Sequence, residues 1–180
     1  SDLARINEAE EALSRRGFPR TAIFRQPVVW GEHDQYQHVN NAHYIRWFES
    51  ARMRWMERMS RTLSPEIASN LVRGRGVGII LASTYCRYRR PVTYPDTVVI
   101  GQAALPMKFA DRVTVRSQAY SVAQSAIVAE ADFECVAYDY DRLCKASLPP
   151  EVADALRAWT YTGEDKEPYC QKTSRRRTVS

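Results

Sequence analysis

Residues 126–139 alternate with a period of two, and no other stretch limits the fold as tightly. Ile127, Ala129, Ala131, Phe133, Cys135 and Ala137 fall on one side of an extended chain. Val128, Glu130, Asp132, Glu134, Val136 and Tyr138 fall on the other. Successive strand side chains point to opposite faces, so this pattern describes a strand with one buried and one wet face. Residues 111–122 read as its partner across a short turn near Gln124. Val113, Val115 and Ala119 lie on one side, and Arg112, Thr114, Arg116, Gln118 and Tyr120 on the other. Arg116 then stands opposite or diagonal to Asp132 and Glu130, an ordinary charge pair expected on a solvated face. The alanines on the apolar side leave room for a helix to lie close against the sheet.

The helix that fits that space is the one beginning near Asn40 or Asn41. Tyr44, Phe48, Ala51, Trp55 and Met59 recur at three-and-four spacing, with Arg46, Glu49, Ser50, Glu57 and Arg58 largely on the other side. Two further strands, 77–89 and 97–105, flank a turn-rich crossing that contains Pro91 and Pro95, and Pro106 ends the second. Residues 21–30 form a first strand, which Pro27 confines to an edge or a bulge. Residues 60–75 read as a loop with one helical turn near 64–71. Gly74, Gly76 and Gly78 do not make a phosphate loop, because a strand rather than a helix follows. The order is strand, long helix, then four strands, an α+β arrangement of an antiparallel sheet around one helix. The main domain spans 21–150. A short amphipathic helix within 1–20 precedes it, ended by Gly17 and Pro19. A short helix at 151–159 follows, and 160–180 is a polar, basic, flexible tail.

Charge excludes less than it first suggests. The net charge is +5, but basic residues are dispersed and the only dense run is Ser174 to Arg177. A nucleic-acid partner is therefore not expected; a mildly basic surface suits an anionic small molecule equally well. No apolar run is long enough to span a bilayer. Cys86, Cys135, Cys144 and Cys170 form no Cys-x-x-Cys pair and have no histidine at metal spacing. They read as free thiols of a reducing, intracellular compartment, cytoplasmic or mitochondrial. The chain opens on Ser1 rather than Met, as expected of a processed or trimmed product.

The chemistry concentrates in the loop from Glu32 to Asn41. It sets Asp34, His33, His38, Asn40 and Asn41 beside a helix N-terminus, whose unpaired N–H groups stabilise negative charge developing on a carbonyl oxygen. A carboxylate beside an oxyanion donor suits acyl transfer. His38 and His43 are placed too differently to share a metal, and none is expected.

The run Asp-Gln-Tyr-Gln-His-Val-Asn-Asn-Ala-His-Tyr at 34–44, followed by Trp-Phe-Glu-Ser-Ala-Arg at 47–52, resembles the 4-hydroxybenzoyl-CoA thioesterase-like branch of the hot-dog-fold superfamily. The resemblance covers about 20–150 in order of elements, with the specific motif at 34–52. It implies a hot-dog fold, five or six antiparallel strands wrapped around one long central helix, associating through sheet edges as a homodimer or homotetramer. It implies an acyl-CoA thioesterase needing no cofactor, with coenzyme A thioester as substrate. Gly31-Glu32-His33-Asp34 matches the family's Gly-acid-x-Asp, so the catalytic carboxylate, base or nucleophile, lands on Asp34 rather than Glu32. The Asn41 backbone N–H becomes the oxyanion donor, and His38 either orients Asp34 or hydrogen-bonds across the loop. Glu49 is read as structural, paired with Arg52 or Arg46. Arg87, Arg89, Arg90, Lys108 and Arg112 are the candidates for coenzyme A phosphates. One departure stands out: the family's glycine before His-Val-Asn-Asn is Gln37. If that position needs positive φ, glutamine is costly there. A non-catalytic binding or assembly subunit is the alternative; a dehydratase is weaker, for want of its His-and-acid signature.

Overall fold

The hairpin forms as its alternation requires. In the computed structural model, which describes residues 2–169, β4 (Arg112–Ser121) and β5 (Ala126–Asp139) pair antiparallel, with Arg116 directly opposite Asp132. The remaining elements are α1 (Asp2–Arg15), β1 (Ile23–Pro27), α2 (Asn41–Ser60), α3 (Pro65–Arg73), β2 (Val77–Tyr88), β3 (Thr97–Ala104), β6 (Cys144–Lys145) and α4 (Pro150–Ala158). The strands make one antiparallel sheet in the order β1-β3-β4-β5-β2, with β6 added beside β5. β1 and β2 are its edges, and Pro27 ends β1 on one of them, as its missing N–H demands.

Helix α2 lies along the inner face of the sheet. Its N-cap is Asn40, whose Oδ1 accepts from the Ala42 N–H at 3.0 Å. The expected stripe of Tyr44, Phe48, Ala51, Trp55 and Met59 is buried, and Trp47, Arg52 and Met56 widen it. Val113, Val115, Ala119, Ala129, Ala131, Phe133, Cys135 and Ala137 meet it from the sheet. Each large apolar side chain fully buried here contributes about 1.5–3 kcal/mol. The alternation breaks once, because a bulge between Ala119 and Tyr120 lets Tyr120 face Ile127. The extra residue turns Val128 inward and Ile127 outward, opposite to the simple period-two reading.

The outer face corrects three expectations. It is solvated only in part: on its β1–β3 side α1 supplies Ala9 and Leu13, and together with Phe18, Val99, Ala103, Leu105 and Tyr161 they form a second core there. Gly101 permits this, since a Cβ would sit 2.7 Å from the Phe18 ring. The tail expected from 160 is held down as far as Tyr169; 170–180, with Cys170 and the basic run, lies outside the described residues. Thr160 bridges Ala104, the Tyr161 N–H donates to the Ala104 carbonyl at 2.7 Å, and the strap 160–169 then crosses the sheet. Under it, Arg116 is 0% and Asp132 4% exposed, so the pair read as surface charge is interior. Finally, 65–73 is a full helix rather than one turn, started by Pro65 and stopped at Gly74 with φ 62°.

Candidate active site

The loop between β1 and α2 is fastened on several sides, and each fastening places a residue. Glu32 is spent structurally: its carboxylate accepts from Trp47 Nε1 at 2.9 Å and from the Val29 N–H at 2.8 Å. His33 Nε2 accepts from the Tyr94 N–H at 2.9 Å, and the Val39 N–H donates to the Val92 carbonyl at 2.8 Å. The loop is thus pinned to the segment following β2. Within it the Asp34 N–H donates to the His38 carbonyl, and the Gln37 N–H to the Asp34 carbonyl. This tight turn requires φ 65° at Gln37, the left-handed region where a glycine is favoured and a glutamine is strained.

Asp34 keeps a half-buried carboxylate beside the helix start. Its Oδ1 accepts from the Tyr36 N–H at 2.8 Å, and its Oδ2 lies 3.3 Å from Asn40 Nδ2. Asn40 therefore does two things at once, capping α2 through Oδ1 and holding Asp34 through Nδ2. The next N–H, that of Asn41, has no acceptor among the described residues. The Asn41 carbonyl accepts from the Tyr88 hydroxyl at 3.1 Å. Burial pushes both Tyr44 and Tyr88 up to about 12, so these phenols stay protonated beneath the first turn of α2. Asp34, His33, Gln37, Trp30 and Tyr94 line an open cleft of about 580 Å³.

The structure brings Asp34 and Asn41 to one helix end and adds Asn40 to hold Asp34; of the two roles open to His38, it takes the hydrogen bond across the loop, its carbonyl accepting from the Asp34 N–H. The His38 ring instead stacks on Tyr36, with centroids 6.3 Å apart, and makes no hydrogen bond to Asp34. The signal for Asn40 was present: a short amide that caps a helix through its oxygen still has its NH2 to donate. Glu49 is exposed, and among the described residues it makes no ion pair with Arg46 or Arg52, contrary to the pairing expected.

The basic candidates split into two groups. Arg89 is bound to Glu130 in a charge-assisted pair, leaving Arg87 and Arg90 exposed nearby. Lys108 and Arg112 line a separate cavity of about 450 Å³ on the outer face, where Arg112 also holds Asp111. Arg89 is anchored to Val128 and Arg112 lies opposite Val136, so about 26 Å of β5 separates the groups at 3.3 Å per residue. One phosphate chain does not span both within one chain. No group of three or more His, Cys, Asp or Glu is arranged to hold a metal ion among the described residues. Nor is any described helix long and apolar enough to cross a membrane.

A sheet curled on one long helix, with a carboxylate at that helix's N-terminus, is the hot-dog arrangement of thioester-processing proteins. The family model of the thioesterase-like superfamily matches residues 28–156, and the chain belongs to that superfamily. Its fold is shared with the PA5185 protein of Pseudomonas aeruginosa strain PAO1 (TM-score 0.68, 21% identity, 83% of this chain and 97% of that one). It is similarly shared with Slr0204, a 1,4-dihydroxy-2-naphthoyl-CoA thioesterase from Synechocystis (TM-score 0.63, 16% identity, 75% and 94%). A third likeness is to the gentisyl-coenzyme A thioesterase BH1999 (TM-score 0.61, 15% identity, 74% and 98%).

Proposed function

We propose that this protein is an acyl-CoA thioesterase in which Asp34 drives attack on the thioester carbonyl and the N-terminus of α2 holds the oxyanion. The observation that carries this is the uncommitted Asn41 N–H next to a carboxylate whose two oxygens are both held in place. As base, Asp34 takes a proton from water while the water oxygen bonds to the carbonyl carbon. The negative charge then rests at the positive end of a helix, where backbone donors need no reorganisation. Collapse breaks the C–S bond, and the leaving thiolate takes up the proton. As nucleophile, Asp34 would bond to the carbonyl carbon and expel the thiolate, breaking the C–S bond and leaving a mixed anhydride that water cleaves to the free acid and the Asp34 carboxylate. His38 acts through its backbone carbonyl, which fixes the loop, and Asn40 orients the carboxylate.

The cleft is open and β2 is a free edge carrying Ile80 and Leu81 at 39% and 41% exposure. A second copy added there as a homodimer encloses the site, and a homotetramer is the larger option. Arg87 and Arg90, toward the end of the sheet where the cleft opens, are the phosphate contacts favoured here; Lys108 and Arg112 serve only across such an assembly. The three described cysteines, all free, fit a reducing compartment. A second reading has one observation in its favour: the strained Gln37 at the centre of the loop suits a member kept for binding or assembly rather than turnover.

Thiol release from short-chain, long-chain and aryl acyl-CoAs tests the proposal. Asp34→Asn should lower kcat about 10²- to 10⁴-fold without loss of fold. No turnover by folded wild type on any acyl-CoA favours the assembly subunit, and activity indifferent to Asp34 moves attention to Glu49.

A further inference from the structure

Arg52 is unexplained by anything above. It lies in the middle of α2, is 6% exposed, and stacks its guanidinium 4.7 Å from the centroid of the Phe133 ring. Stacking occupies the face of the guanidinium, not its N–H edge. Nη1 is fully buried and has no hydrogen-bond partner among the described residues. Glu49 and Glu57 border the same cavity, yet neither pairs with it. Cys135, also at the cavity, supplies no charge: burial pushes its thiol up to about 11, and its S–H is turned to the Phe133 carbonyl. A buried cation whose donor lacks an acceptor is costly, and such groups are kept where something pairs with them.

The cavity holds about 320 Å³ between α2, α3 and the free edge β2. Apart from Arg52, its inner wall is apolar, made by Met56, Leu71, Ile79 and Cys135. An apolar slot ending at one buried cation fits a hydrocarbon chain ending in an anion. We propose that this cavity is a subsite for the far end of the acyl group, and that Arg52 selects acyl chains terminating in a carboxylate. The proposal rests on the thioesterase reading. From Asn41 to Arg52 the helix rises about 16 Å, and helical side chains lean back toward the N-terminus. A medium-length chain, not an acetyl or propionyl group, covers that distance from the reaction centre. Glu49 and Glu57 are exposed, so water and salt screen their repulsion, whereas Arg52 acts in a low-dielectric interior.

The test compares kcat/KM for suberyl-, sebacyl- and dodecanedioyl-CoA with octanoyl-, decanoyl- and dodecanoyl-CoA. The ω-carboxyl series should be preferred by wild type about ten- to a hundredfold, the worth of one charge-assisted hydrogen bond. Arg52→Met should erase that preference, and Arg52→Lys should retain part of it. A wild type that prefers the plain chains, or an Arg52→Met protein that keeps the ω-carboxyl preference, overturns the subsite while leaving the thioesterase standing. If neither series is cleaved, the hydrolytic reading fails by itself. Calorimetric titration of wild type with octanoate and octanamide then decides. Saturable binding of octanoate alone supports the subsite, and binding of neither, or of both equally, means water satisfies Arg52 and overturns it.

Discussion

The Asp34 loop and the Arg116 layer use the same chemistry, carboxylates held by hydrogen bonds, in opposite surroundings. Asp34 is half-exposed, each oxygen has one modest partner, and the turn that presents it contains a strained residue. Asp132 is 4% exposed and meets the Arg116 guanidinium through two bonds of 3.0 Å. Above it, Arg116 also donates to the Asp165 and Glu167 carbonyls, lies 3.9 Å from the Tyr169 ring centroid, and the Tyr169 N–H donates to Asp132 at 2.6 Å. A neighbouring chain runs from Arg16 through Gln118 to Glu130 and Arg89. Saturating a buried charge makes it a fixture of the fold; a carboxylate left wet and lightly held stays open to a further partner. The difference locates stability on the outer face and, under the proposed mechanism, reactivity in the loop.

The largest way to break this contrast is Asp132→Ala. It strands a buried guanidinium and should cost about 3–5 kcal/mol in denaturant unfolding. A loss below about 1 kcal/mol would mean the strap lets water reach Arg116. In the loop, Asn40→Ala removes a cap and should cost about 1 kcal/mol, with kcat falling more than stability because Asp34 loses its second hold. Unchanged kcat would show that the Asn40 contact at 3.3 Å does not orient the carboxylate. Gln37→Gly should go the other way. Relief of left-handed strain, about 1–2 kcal/mol, exceeds the entropy cost of glycine, leaving a gain of about 0.5–1 kcal/mol in unfolding free energy. The smallest effect at neutral pH belongs to Tyr169, whose phenol burial pushes up from 10.0 to about 12. The folded protein holds that proton more tightly than the unfolded chain, so the contribution is full below about pH 10 and is lost as pH rises through about 12. Stability measured across that range should fall less steeply in Tyr169→Phe than in wild type.

These two regions were also unequally legible. The loop motif, the N-cap and the helix stripe are written in side-chain identities, and they fold where the spacing puts them. Choosing between Asn40 and Asn41 as cap took geometry, and so did seeing that Gln37 adopts positive φ. α3 was within reach: Pro65 at the start and Gly74 at the end are helix punctuation, yet only one turn near 64–71 was read between them. The strap was hidden for a physical reason. Arg116 grips it by the carbonyls of residues 165 and 167, and backbone acceptors carry no mark in sequence. Only Tyr161 and Tyr169 hinted that a polar tail had something to bury. Without the strap, a Arg116–Asp132 pair can only be read as exposed.

The covered outer face also bears on how the chain can assemble. Two sheets stacking back to back would have to displace α1 and the strap, segments joined to the sheet by the chain itself. A tethered segment competes at an effective concentration in the millimolar range, whereas another copy arrives at its bulk concentration. Over the covered part of the face, intramolecular occupation therefore disfavours face-to-face stacking at ordinary protein concentrations. A homodimer of the kind proposed would then form through one of the free edges, β2 among them, rather than through the covered face.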